Sequence, residues 1–233
     1  MRPIAAVGTV DMTLEALMRQ RMSCRAFLPA PVPDAVVDRM LQLAQRAPSW
    51  CNTQPWQVDV CSGAATERLR RELRAHIESA DAAPAFDFAP PSAYSGVYRE
   101  RRRASGWQLY DAVGVSRGDR EASARQAAQN YEFFRAPHVA IVSTPDALGP
   151  YGAVDAGVYL GHLLLAAEAC GVASVPQAAV ARFAPFVREH LGIDPSRKIV
   201  FAVAFGYPDA DHPANSYRTT RASLGEAVRH HRH

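Results

Sequence analysis

The stretch YGAVDAGVYLGHLLLAAEACG, residues 151–171, is hydrophobic nearly all round. A helix without a polar face has to be enclosed, so the reading is a central buried helix around which the rest of the chain is layered. Gly157 and Gly161 stand four apart on it, one above the other on a single face. Their lack of side chains lets another helix approach closely, which serves ordinary packing and equally fits a dimer axis.

Around that helix the chain reads as short helices and few strands. TLEALMRQR places Leu14, Leu17 and Met18 on one face behind a Thr13 N-cap, a short amphipathic helix. RQRMSCRAF then alternates Arg21, Ser23 and Arg25 with Met22 and Cys24, the pattern of an extended exit. Pro33 and Asp34 open a second helix striped by Val36, Val37, Met40, Leu41 and Ala44, and Pro48 stops it, because the residue before a proline is pushed out of the α region. QVDVCSG alternates into a turn glycine as a half-buried strand. ATERLRRELRAHIESA is a surface helix with Leu69, Leu73 and Ile77 inward, and a helix through REASARQAAQNYEFF leads to a turn and strand at APHVAIVST. VASVP and the near-continuous apolar KIVFAVAFGYP are further strands, the second an interior one.

Strands are few and unevenly spaced, no G-x-G-x-x-G follows a strand, and no Walker lysine loop is present, so an open dinucleotide-binding sheet is unsupported. An α+β layer fold with a small mixed sheet and many helices fits better. The expected organisation is one domain over residues 1–233, with an inserted helical or loop excursion at about 80–118 where Pro, Ala and scattered aromatics surround the basic run YRERRR. No stretch approaches the roughly 20 apolar residues of a membrane span. The N-terminal apolar patch is interrupted by Asp11, which argues against a signal peptide. These features place the protein in the cytoplasm.

Conventional catalytic constellations are thin. Cysteines 24, 51, 61 and 170 have no CxxC spacing, so neither a disulfide framework nor a metal site is signalled. There is no G-x-S-x-G, no H-E-x-x-H and no carboxylate pair near a plausible general acid. The net charge of +3 is carried mostly by Arg, whose guanidinium holds phosphate or carboxylate bidentately. That favours local anion sites over a nucleic-acid surface.

Arginines at both ends of the chain and a polar loop, APSWCNTQPW, near the front suggest a bound cofactor that carries the chemistry. A flavin mononucleotide needs guanidinium groups and a hydroxyl for its phosphate, which Arg21, Ser23 and Arg25 supply if alternate residues face one way. Its uracil-like edge suits carboxamides such as Asn52 and Gln54. Its N5 needs a donor that leaves room for hydride, and a backbone N–H in the small-residue loop PQAA, 176–179, meets that need.

In order, the chain presents RxSxRAF, APSWCNTQPWQVDV, NYEFFRAPHVAIV, GVASVPQAA, IVFAVAFGYP and NSYRTTR. That succession resembles the FMN-dependent nitroreductase family from about residue 14 to 228, most specifically at RxSxR and APSxxNxQPW. The resemblance implies an α+β sandwich with a mainly antiparallel sheet, and a homodimer with FMN in pockets made by both subunits. By position Arg21, Met22, Ser23 and Arg25 match the phosphate and ring-edge segment. Ser49, Trp50 and Asn52 match the loop that reaches the other subunit's flavin. Pro176, Gln177, Ala178 and Ala179 match the loop facing N5, and Arg218 or Arg221 the C-terminal phosphate ligand. Asn130 is the candidate for the pyrimidine edge, with Gln129 the alternative one residue away.

Departures from the pattern are Met22, where a polar or basic residue is common, and the bulky Trp50 and Cys51. Family members with a long insertion use it as a cover, so Tyr94, Tyr98, Trp107 and Tyr110 would line a slot for a flat aromatic substrate or merely pin the insertion down. The basic run would steer anionic substrates or NAD(P)H, or is a solvated helix face. The implied activity is ping-pong hydride transfer from NAD(P)H through flavin N5 to a nitroaromatic, quinone or similar acceptor. Two alternatives remain at this level: a flavoprotein of the same scaffold with other chemistry, and a non-flavin, Arg-rich interaction module.

Overall fold

A computed structural model describes residues 12–79 and 82–232. Residues 1–11, on which the reading against a signal peptide rests, and Ala80, where the excursion starts, lie outside them. Four strands form one sheet: β1 (Gln57–Ser62), β2 (His138–Pro145), β3 (Ala173–Gln177) and β4 (Arg197–Gly206), in the order β1-β2-β4-β3. Every pair of named strands is antiparallel. Among the described residues, parallel pairing enters only as isolated bridges, Ser23 to Ser174 and Ala85 to Phe183.

Side-chain alternation splits the core into two layers, one on each face of the sheet. Val139 and Ile141 of β2 pack with Leu69 and Leu73 of α3 (Ala64–Glu78) and Val187 of α7 (Ala184–Leu191). Ala140 and Val142 face the other way, onto α2 (Asp34–Ala44) and α6 (Gly149–Ala169). On β4, Ala202 and Ala204 join the first layer and Phe201, Val203 and Phe205 the second. A bulge between Val142 and Ser143 shifts the register and turns Ile199 into the first layer. Helices therefore cover both faces.

Gly152 lets α6 lie against β2, since an added Cβ would stand 2.4 Å from Thr144 Oγ1. Only part of α6 is enclosed, however. Asp155, Ala156, Tyr159, Leu163 and Ala167 are buried, whereas Tyr151 and Val154 are each 57% exposed. Gly157 and Gly161 continue that exposed stripe, with nothing within 4 Å of a Cβ added to either. The apolar circumference seen in the sequence thus includes a face that this chain alone does not cover.

Two other elements differ from expectation. The second helix ends at Ala44, with Gln45 as its cap, before Pro48. The helix through REASARQAAQNYEFF is shorter, α5 (Arg120–Ala128). Beyond it Phe133, Phe134 and Arg135 all take positive φ, at 52°, 50° and 63°, a left-handed run that cannot continue a right-handed helix. The excursion contains a 17-residue helix, α4 (Gly96–Ala112), with no buried residue. Short helices α1 (Leu14–Gln20), capped by Thr13, and α8 (Leu224–Ala227) complete the set.

Candidate functional site

The segment after α1 leaves in an extended conformation, with Arg21 at φ −54° and ψ 128°, and docks on the free edge of β3. Cys24 N donates to Ser174 O at 3.1 Å. Cys24 itself points into the core, fully buried, with its thiol 3.1 Å from Ala26 O. Burial pushes that thiol up to about 11, so it is no nucleophile at neutral pH.

The C-terminal segment meets this one through Asn215. Its Oδ1 accepts from Arg25 N at 2.8 Å, and its Nδ2 donates to Ala26 O at 2.9 Å and Asp209 O at 2.8 Å. Arg25 Nη1 donates to Tyr217 Oη at 3.1 Å. The two ends of the chain thereby wall a cavity of about 390 Å³, lined by Arg21, Met22, Ser23 and Arg25 from one side and by Arg218 and Arg221 from the other.

Positive charge dominates this cavity. The Arg21 guanidinium has no protein hydrogen-bond or ion-pair partner among the described residues. Its pKa is lowered, first by burial and then by the neighbouring Arg221, with Glu168 opposing. The Arg218 and Arg221 side chains are held by carbonyls and a hydroxyl of their own segment, Asn215 O, Tyr217 O and Thr219 Oγ1 among them. Guanidinium groups gathered on one cavity, two of which repel one another, suit an anionic ligand.

β3 carries the next element. Pro176 and Gln177 end the strand and Ala178 and Ala179 turn away. Ala178 is exposed, and neither alanine N–H meets a protein acceptor among the described residues. Gln177 is buried, its Nε2 donating to Asn130 O at 2.7 Å. Asn130 therefore adjoins the PQAA turn, while Gln129 lines a larger cavity of about 720 Å³ together with Arg25 and Phe27.

The loop APSWCNTQPW lies elsewhere. Residues 50–54 are all exposed, and Cys51, Asn52 and Gln54 have φ of 49°, 56° and 48°. Ser49 Oγ accepts from Gln54 N at 2.9 Å, Gln54 Nε2 donates to Asn52 Oδ1 at 3.3 Å, and Arg197 Nη2 donates to Pro55 O at 2.8 Å. Trp50 N donates to both oxygens of the buried Asp155, at 3.1 and 3.3 Å, and the Trp50 ring meets Tyr151 edge-on at 4.3 Å. Asp155 belongs to the N-terminal part of α6, whereas Glu168, beside Arg21, is near its C-terminal end. At 1.5 Å per residue that is a separation of roughly 20 Å along the helix. Ser49, Trp50 and Asn52 are not brought to the arginine cradle of their own chain.

In the 80–118 segment Tyr94 and Tyr98 are exposed, Trp107 meets Tyr110 edge-on at 5.6 Å, and Arg117 lies over the Trp107 ring. None of these four rings lines either cavity, but α4 reaches both: Ser105 borders the arginine cavity and Ala112 the larger one. Among the described residues no cluster suited to a metal ion occurs, and no helix is long and apolar enough to cross a membrane.

Asn215, Tyr217 and Asp155 escape a reading of the sequence. The first two sit in NSYRTTR, where the arginines are the evident anion ligands. Asp155 did leave a signal, as a lone acid in an otherwise apolar helix.

Fold and site together define a class: an α+β layer protein whose two chain ends close a basic cradle beside a strand end with open N–H groups, suited to a phosphorylated ligand. The model of the Nitroreductase family matches residues 18–207. The chain is 38% identical over 225 residues to nitroreductase NfnB of Mycolicibacterium smegmatis, covering 95% of this chain and 94% of that one. It is 36% identical to a 4-nitrobenzoate reductase of Nocardioides sp., covering 97% and 93%. The crystal structure of the FMN-dependent nitroreductase NfnB from Mycobacterium smegmatis in complex with NADPH superposes with a TM-score of 0.87 at 38% identity, over 94% of this chain and 97% of that one. The chain belongs to the Nitroreductase family.

Proposed function

We propose that this protein is an FMN-dependent NAD(P)H oxidoreductase of the nitroreductase type that acts as a homodimer. The observation that carries the reading is the meeting of Arg21, Ser23 and Arg25 with Arg218 and Arg221 around one cavity, on a segment paired to the strand that ends in the open Ala178 N–H. The names of the relatives, nitroreductase and 4-nitrobenzoate reductase, support the same class.

The residues present fit FMN. Arg21, Ser23, Arg218 and Arg221 would hold its phosphate, Arg25 with Asn130 or Gln129 its pyrimidine edge, and the Ala178–Ala179 backbone would face N5. When bound, FMN supplies the redox chemistry, accepting hydride from NAD(P)H and passing electrons to a nitroaromatic, quinone or similar acceptor in a ping-pong sequence. The chain binds and orients: guanidinium charge and an aimed N–H favour negative charge on whatever they hold. No side-chain nucleophile is required, in keeping with the inert Cys24.

A second copy completes the site. The exposed stripe of α6 through Tyr151, Val154, Gly157 and Gly161 supplies a face for it, and a rigid loop carrying Ser49, Trp50 and Asn52 would reach the partner's flavin. The segment at about 80–118 acts as a cover, with its aromatics available to a flat acceptor.

Mixed dimers test the split site. A chain carrying Arg21→Ala and another carrying Asn52→Ala should each bind FMN weakly alone. Co-expressed, they should form heterodimers with one intact site, and the isolated heterodimer should recover about half of the wild-type flavin content. Recovery of nothing, with heterodimers demonstrably formed, would place cradle and loop in separate functions.

A further inference from the structure

Arg70 of α3 is 7% exposed, an unusual place for a guanidinium unless its donors are satisfied. Its Nε donates to Glu132 O at 2.9 Å, its Nη2 to Ala136 O at 2.6 Å, and its Nη1 pairs with Glu67. The two carbonyls flank the left-handed run Phe133–Arg135. Three consecutive non-glycine residues in that region are costly, and the run persists because Arg70 clamps both ends and the Phe133 and Phe134 rings are buried.

The same turn reaches the functional site at its other end. Gln129 O accepts from Phe134 N at 2.9 Å, and the next residue, Asn130, accepts through its carbonyl from Gln177 Nε2 at 2.7 Å. The orientation of the Gln177 carboxamide is fixed, since a flip would set Oε1 against the Asn130 carbonyl. Gln177 Oε1 is then buried with no partner among the described residues. An unpaired acceptor in a core costs stability, yet it sits one residue before the open Ala178 N–H.

We propose that Gln177 is a positioning residue. Together with Arg70, acting through the left-handed turn, it fixes the Ala178–Ala179 backbone and so where its N–H meets the flavin. Beside this clamp Ala178 and Ala179 have no backbone bond of their own through their N–H groups. The flavin part of this inference rests on the family reading of the PQAA turn; the clamp itself does not.

Two measurements separate those parts. In FMN-free protein, Gln177→Met, which keeps the length and removes the donor, should speed amide exchange at least tenfold at Arg182 and Phe183, whose N–H groups donate to Ala179 O and Val180 O, and leave β2 and β4 unchanged. In FMN-loaded protein the same variant should keep its flavin but move the oxidised-to-reduced equilibrium about tenfold, roughly 30 mV for a two-electron couple. Arg70→Lys keeps the charge beside Glu67 but not the two-carbonyl fork, and should produce both changes in the same direction. Unchanged exchange at Arg182 and Phe183 in both variants overturns the clamp, as does a uniform rise over the whole chain. Faster exchange with a wild-type potential, or in a chain that takes up no FMN, overturns the tie to the flavin.

Discussion

Replacing Arg21 by methionine should move two properties in opposite directions. Arg21 lines the basic cavity without a protein partner, and its pKa is lowered chiefly by burial and then by Arg221. In the ligand-free protein it is a half-buried charge beside a like charge, so its removal relieves strain; the lost attraction to Glu168 is a partial offset, because Arg218 still faces that carboxyl. The gain is up to about 1 kcal/mol, which raises the melting temperature by roughly 2–4 °C at most in a chain of this size. In the proposed FMN complex the same guanidinium would make a charge-assisted bond to the phosphate worth about 1.5–3 kcal/mol. Its loss weakens FMN binding about 10- to 100-fold at 1.4 kcal/mol per decade. Fluorescence titration of FMN-stripped protein with FMN gives the dissociation constant, and scanning calorimetry of the stripped protein gives the melting temperature. A variant that melts several degrees lower and binds FMN as tightly as wild type would show that Arg21 is a structural residue.

Gly152→Ala sets a methyl 2.4 Å from Thr144 Oγ1 and 3.3 Å from Thr144 Cγ2, so urea unfolding should show a loss of about 1–3 kcal/mol, partly recovered by adding Thr144→Ala. Burial holds the His138 imidazole below its ordinary pKa of 6.5, neutral, with Nε2 accepting from Val32 N at 2.9 Å and Nδ1 facing Ser62 Oγ at 2.7 Å. The unfolded chain takes up that proton first, so His138 contributes stability that is present above pH 6.5 and lost as pH falls below it. Melting temperatures between pH 7.5 and 5 should fall less steeply in His138→Gln than in wild type, and equal slopes would contradict the assignment. Asp155→Ala frees the Trp50 N–H from its buried acceptor and should cost about 1–2 kcal/mol in urea unfolding. In mixed dimers it should act as an Asn52 variant does, restoring flavin when paired with Arg21→Ala.

Local patterns carried much of the fold into the sequence. The four strands announce themselves by alternation or by a short apolar run, and all four fall where those patterns lie. The cradle was legible because Arg21, Ser23 and Arg25 alternate in five residues and because Arg218 and Arg221 close the chain in a similarly polar stretch. What holds these groups in place was not. Arg25 meets Asn215 across 190 residues, Trp50 meets Asp155 across 105, and Arg70 reaches the 132–136 turn across 62 and 66. Bonds of that range leave no period in a sequence. The left-handed run at Phe133–Arg135 contains no glycine to mark it, so helical periodicity was carried through a turn that burial and Arg70 enforce. On α6 the pattern gave the apolar circumference correctly, but periodicity does not distinguish a face buried within the chain from one left exposed by it.

The most direct measurement is an anaerobic absorbance titration of the purified protein, first with NADPH and then with 4-nitrobenzoate. The account predicts a visible flavin band that NADPH bleaches in proportion to the bound FMN and that the nitroaromatic restores. It also predicts that Arg21→Met protein purified in parallel carries less of that band. A protein without the band, or one whose band NADPH bleaches and the acceptor leaves bleached, would contradict it.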